Sequence, residues 1–124
     1  MKKILLIEDD PFLSSLLKTK IQKNGFDVVW AADGEAALEN LRKSDFDLIL
    51  LDIILPKKTG FEVLEEMRMD PQLHAKKTPV IIISNLGQEE DIKRGQEFGV
   101  VEYLIKAKIS IDDLVNRVKD FFNK

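Results

Sequence analysis

The chain has 124 residues, of which 44% are hydrophobic and 33% charged, with a formal net charge of −3. That is the size and make-up of one globular domain, 1–124, with a core large enough to fold without a metal or disulfide staple. The absence of cysteine excludes disulfides, thiol nucleophiles and thiolate metal sites, and the slightly acidic balance gives no electrostatic reason to bind nucleic acid.

The N-terminus, Met1 to Ile7, begins like a signal peptide, but Glu8-Asp9-Asp10 cuts the apolar run short. It reads as a strand, 3–8, and the expected compartment is the cytoplasm; no apolar run is long enough to span a membrane. Asp10 then reads as an N-cap and Pro11 as the first residue of a helix over 11–24, with Leu13, Leu16, Leu17 and Ile21 on one stripe. A strand over 27–31, a helix over 34–43, a strand over 47–51 and a helix over 60–69 follow. Gly60 reads as passage into that last helix. Asp70 to Thr78 reads as the longest loop and holds Pro71 and the only histidine, His74, a solvated residue on this reading. A strand over 79–83 precedes a helix over 87–97 whose stripe is only Ile92 and Phe98, with Gly95 between them at a cost of about 1 kcal/mol against alanine. The chain closes with a strand over 101–105 and a helix over 111–122, capped by Ser110 with Asp113 three residues on.

Strict strand–helix alternation implies parallel strands joined by right-handed crossovers. The expected fold is α/β: a doubly wound, five-stranded parallel sheet of flavodoxin-like (βα)5 type. The order 2-1-3-4-5 suits five strands and puts the switch point between strands one and three. Glu8 and Asp9 end the first apolar run, Asp52 the third, Ser84 the fourth and Lys106 the fifth. In a parallel sheet these groups converge on one edge.

Three carboxylates in one crevice repel one another by roughly 4 kcal/mol per close pair at an effective dielectric of about 20. Lys106 offsets part of that, and a divalent cation offsets the rest. An all-oxygen donor set in an open crevice favours Mg²⁺ over zinc or copper. Asp52 is then a candidate nucleophile that forms an aspartyl phosphate. On this reading the metal takes one phosphoryl oxygen, Lys106 a second and the Ser84 hydroxyl a third.

Ile7-Glu8-Asp9-Asp10-Pro11, the run from Leu50 to Gly60, Ile82-Ile83-Ser84 and Tyr103-Leu104-Ile105-Lys106 together resemble the signature segments of response-regulator receiver domains of two-component signalling. The resemblance covers essentially the whole chain and implies the same strand order. It implies that Asp52 is the phosphoacceptor, that Asp9 binds metal directly and Glu8 more often through water, and that the Ile54 carbonyl is a metal ligand. It further implies that Ser84 is the hydroxyl switch, Lys106 the phosphate-binding lysine and Tyr103 the aromatic switch, although Tyr103 also reads as an ordinary half-buried aromatic. The implied phosphodonor is a histidine on a sensor histidine kinase or a histidine phosphotransfer protein. The implied output is an unidentified downstream protein on the face made by the predicted fourth helix, fifth strand and fifth helix.

Two positions depart from the family pattern. Ala107 stands where proline in a cis peptide usually follows the lysine, so a trans bond and an altered presentation of Lys106 are expected. Asn85 stands where alanine or glycine is common, and its bulk is expected to narrow access to the site. Two other functions compete. A scaffold that binds its partner without phosphate fits the Ala107 departure. An aspartate-nucleophile phosphatase fits Asp52, but such enzymes carry a second aspartate two residues on, where this chain has Ile54, and no cap segment is inserted. The chain is therefore expected to be a signalling module rather than an enzyme.

Overall fold

Ile4–Ile7, Leu48–Leu51 and Val80–Ile83 are uninterrupted apolar runs, and every residue in them is buried. Strands of this kind need cover on both faces. The computed structural model describes residues 1–123. It contains, in order, β1 (Lys3–Ile7), α1 (Pro11–Lys23), β2 (Asp27–Ala31), α2 (Gly34–Lys43), β3 (Leu48–Leu51), α3 (Gly60–Met69), α4 (Pro71–Lys76), β4 (Val80–Ser84), α5 (Glu89–Glu97), β5 (Glu102–Ile105), a 3₁₀ turn over Lys106–Lys108, and α6 (Ile111–Phe122). The strands pair in parallel in the order β2-β1-β3-β4-β5, the doubly wound flavodoxin-like arrangement expected from the alternation.

Alternation along the buried strands divides the core in two. Leu5, Ile7, Ile49, Leu51 and Ile82 pack with Leu38 and Leu41 of α2 and Val63 and Leu64 of α3. Ile4, Leu6, Leu48, Leu50, Ile81 and Ile83 pack with Leu17 and Ile21 of α1 and Leu114, Val115 and Val118 of α6. Each fully buried aliphatic side chain contributes roughly 2 kcal/mol, which fixes strand register more firmly than any surface ion pair does. Ile7 lies opposite both Ala31 and Leu51, Leu51 opposite Ile82, and Ser84 opposite Ile105. The residues that follow these positions therefore leave the sheet at one edge.

Six helices are present among the described residues, not five. The segment read as a loop contains α4, because Asp70 caps it by accepting the Gln72 N–H at 3.0 Å and Pro71 sits in the first turn, where its missing N–H costs nothing. Leu73 anchors the helix in the core, and His74 lies exposed on it. The expected (βα)5 repeat thus carries one extra helix between β3 and β4. Two strand ends also shift, since Glu8 lies just beyond β1 and Ser84 is the last residue of β4, while Lys106 follows β5 as read and opens the 3₁₀ turn. Helix α5 begins at Glu89 rather than residue 87, after Gln88 donates its N–H to Asp91 Oδ2 at 3.3 Å. Asp10 caps α1 through the N–H groups of Phe12 and Leu13, and Ser110 caps α6 through that of Asp113, as read from the sequence.

Candidate functional site

Glu8, Asp9 and Asp52 meet at the C-terminal edge of β1 and β3, with one carboxylate oxygen from each lying within 4.8 Å of the others. The backbone bond from Asp52 N–H to the Ile7 carbonyl (3.0 Å) sets the two strands' ends side by side. Glu8 is fully buried and Asp52 nearly so, whereas Asp9 is exposed. Asp52 Oδ1 accepts the N–H groups of Ile53 (2.7 Å) and Ile54 (3.3 Å), which orient the carboxylate from behind. The Ile54 side chain points to solvent.

Lys106 sits between the two buried acids. Its Nζ is 2.6 Å from Asp52 Oδ2 and 2.5 Å from Glu8 Oε1. The first contact is a hydrogen bond. The second is an ion pair outside hydrogen-bond geometry, which leaves Glu8 Oε1 buried without a hydrogen-bonding partner among the described residues. Burial pushes the Glu8 carboxyl above its ordinary pKa; Lys106 and the Asp10 N–H pull it back, and the charge on Asp52 adds to the rise. Burial works to lower the Lys106 pKa, but its contacts with Asp52 and Glu8 together outweigh it, so the ammonium is held above its ordinary value. One ammonium against three carboxylates leaves negative charge unbalanced. An all-oxygen cluster that carries more negative charge than its one ammonium balances fits a small hard divalent cation.

The other expected residues lie on the neighbouring strands. Ser84 is fully buried, and its Oγ accepts the Leu86 N–H at 3.3 Å. Tyr103 is half-buried, and its hydroxyl donates to the Leu86 carbonyl at 2.5 Å. The aromatic is thus bonded to the loop that carries Ser84. Asn85, expected to crowd the entrance, is exposed, and its Oδ1 accepts the Ala107 N–H at 3.0 Å. The structure holds no cis peptide bond among the described residues, so Lys106–Ala107 is trans.

Two supporting residues were not singled out for this role from the sequence. Trp30 donates its indole N–H to the Glu8 carbonyl at 2.7 Å and so fixes the backbone of a buried acid. A tryptophan that leaves a short strand beside an acidic run carries no local signal of that bond. Gly60 is more than a passage into α3. A Cβ there would lie 2.4 Å from the Asp52 carbonyl oxygen and 2.7 Å from Ile53 Cα, so only glycine lets the start of α3 lie against the backbone of Asp52.

Comparison with known proteins agrees with this geometry. The family model of the response regulator receiver domain matches residues 4–119. The chain belongs to the response regulator receiver family. Receiver domains are signalling modules of two-component systems, and a buried aspartate paired with a lysine beside two further acids is consistent with phosphorylation-dependent signalling. The Escherichia coli (strain K12) transcriptional regulatory protein CpxR is 43% identical over 119 residues, which cover 96% of this chain and 48% of CpxR. This receiver chain thus spans about half the length of that curated relative. The Francisella response regulator 1452 receiver domain superposes with a TM-score of 0.87 at 33% identity, covering 99% of this chain and 98% of that one. The Mn²⁺-bound form of response regulator Rcp1 superposes with a TM-score of 0.83 at 32% identity, covering 98% and 94%. No helix among the described residues is long and apolar enough to cross a membrane.

Proposed function

We propose that this receiver domain, 1–124, accepts a phosphoryl group on Asp52 from a phosphohistidine of a sensor histidine kinase or a histidine phosphotransfer protein. The observation that carries the reading is the position of Asp52: buried, clustered with two other carboxylates and bonded to Lys106 at 2.6 Å. Such a carboxylate serves as a nucleophile once its neighbours' repulsion is balanced. An Asp52 oxygen forms the new O–P bond while the donor's P–N bond breaks. Its electron pair departs with the imidazole, which carries a proton on its other nitrogen.

Glu8, Asp9, Asp52 and the carbonyl of Ile54 are the groups that would hold Mg²⁺. When bound, the ion neutralises charge on the transferring phosphoryl group. Lys106 supplies a second positive charge, and the Ser84 hydroxyl, whose oxygen accepts the Leu86 N–H through a lone pair, donates its own O–H to a phosphoryl oxygen when the side chain turns towards Asp52. In this role Ser84 moves the 84–86 loop, and Tyr103 follows because its hydroxyl is bonded to Leu86. The population of the α5–β5–α6 surface shifts accordingly, and that face meets a downstream protein. The domain assists its own phosphoryl transfer and loss and turns over no other substrate.

Intact mass after incubation with Mg²⁺ and acetyl phosphate tests the reading. Wild type is expected to gain one phosphoryl group and Asp52→Asn none. Equal labelling of both would place the acceptor elsewhere, and no labelling of wild type would favour a scaffold that works without phosphate.

A further inference from the structure

The loop after β4 is tied across to β5 and the turn beyond it. Leu86 O accepts the Tyr103 O–H, and Asn85 Oδ1 accepts the Ala107 N–H at 3.0 Å. The second bond joins the neighbours of two groups that matter chemically, because Asn85 follows Ser84 and Ala107 follows Lys106. A peptide group is planar, so a bond to the nitrogen of residue 107 also restrains the Cα and carbonyl of Lys106. Lys106 reaches Glu8 and Asp52 on a flexible four-carbon stem, and ordering such a stem costs less when its root is fixed. Proline at 107 would have no N–H to satisfy. Alanine has one, and the side chain of Asn85 accepts it. The two departures noted in the sequence are therefore partners in one contact.

We propose that Asn85 is a positioning residue: its amide oxygen clamps the 106–108 turn to the 84–86 loop, so that Lys106 and Ser84 meet the phosphoryl group as one unit. This rests on Asp52 being the acceptor. It differs from a steric role for Asn85, in which the side chain would slow entry to the site whatever Lys106 does.

A double-mutant cycle with Lys106 separates these roles. Labelling of Asp52 by acetyl phosphate with Mg²⁺ is followed for wild type, Asn85→Ala, Lys106→Met and the double variant. Asn85→Ala is expected to slow labelling roughly threefold, the scale of one solvent-exposed hydrogen bond. In the Lys106→Met background the same substitution is expected to slow labelling by clearly less than threefold, because only the Ser84 side of the clamp is left to lose. Amide exchange at Ala107 should speed up in Asn85→Ala and stay slow in Asn85→Asp, which keeps an acceptor oxygen. Faster labelling in both backgrounds would show a steric gate and overturn the clamp. So would an Ala107 amide that exchanges equally in wild type and Asn85→Ala, or a loss of stability with no change in rate. If wild type takes no label, the acceptor reading fails separately. The clamp is then judged by Ala107 exchange and by the order of the Lys106 side chain, which NMR relaxation reads and which should fall in Asn85→Ala.

Discussion

Gly95 of α5 lies directly against the ring of Tyr103 on β5, with no space between them for a side chain. A Cβ at residue 95 would stand 2.9 Å from Tyr103 Cδ2 and 3.0 Å from Ile82 Cδ1. The ring seated there donates its hydroxyl to the Leu86 carbonyl. Alanine at 95 improves helix propensity by about 1 kcal/mol. It also forces the ring or α5 outward, at about 1–3 kcal/mol for overpacking. Gly95→Ala is therefore expected to lose about 1 kcal/mol in urea unfolding and to release the Tyr103 ring, seen as altered ring resonances in NMR. A variant as stable as wild type with the Tyr103–Leu86 bond intact in its crystal structure would contradict this.

The same seat governs how Tyr103 titrates. Burial, then the charges of Asp91 and Asp52, push its pKa from 10.0 to about 12, against a small opposing pull from the Ser84 hydroxyl. The folded chain then keeps its phenol proton at a pH where the unfolded chain has lost it. The contribution of this group to stability is complete below pH 10 and declines as pH rises towards 12. The chain has one tyrosine, so ultraviolet absorbance follows it alone. Its midpoint is expected near 12 in the folded protein, and the unfolding free energy of wild type should fall relative to Tyr103→Phe across that interval. A midpoint at the ordinary value would show the ring exposed in solution.

What could be read from the sequence depended on how far each signal reaches along the chain. The apolar runs and their polar ends placed Glu8, Asp9, Asp52, Ser84 and Lys106 on one edge, because strand order and period alone decide where a strand's last residue lies. Helix α4 was missed although its opening Asp70-Pro71 repeats the Asp10-Pro11 pair that marked α1. Its six residues bury one leucine, too few for a helical period to show. Gly95 registered only as a weakness of α5, since a propensity scale sees the missing side chain and not the ring that fills its place. The Asn85–Ala107 and Trp30–Glu8 bonds join residues 22 apart in sequence, and nothing local to either partner announces them.

Gly60 gives a sterner test of close approach than Gly95. The atoms that a Cβ would meet are backbone, the Asp52 carbonyl oxygen at 2.4 Å and Ile53 Cα at 2.7 Å, and backbone cannot rotate aside. Gly60→Ala is expected to cost about 3 kcal/mol, the upper part of the overpacking range. It should also slow labelling of Asp52, the proposed acceptor, because the strain falls on its own peptide. Urea unfolding and intact mass measure the two effects. A stable variant that labels at the wild-type rate would show that α3 can retreat from β3 without disturbing the carboxylate.

Lys106 holds both of the buried acids proposed to hold Mg²⁺, so on that proposal the lysine and the ion compete for the same carboxylates. A lysine ammonium a few ångströms from a divalent ion opposes it by on the order of 1–2 kcal/mol even at the dielectric of bulk water. Lys106→Met is thus expected to tighten Mg²⁺ binding on the order of tenfold while slowing labelling of Asp52. Asp9→Asn should weaken binding of the ion, since the exposed acid has the freest carboxylate of the cluster. Trp30 is the only tryptophan, and its indole N–H is bonded to the Glu8 carbonyl, so its fluorescence is placed to report the titration. Calorimetry gives an independent value. If Lys106→Met leaves Mg²⁺ affinity unchanged or lowers it, the ammonium does not share these carboxylates with the metal in solution, and its part in transfer must begin only after the phosphoryl group arrives.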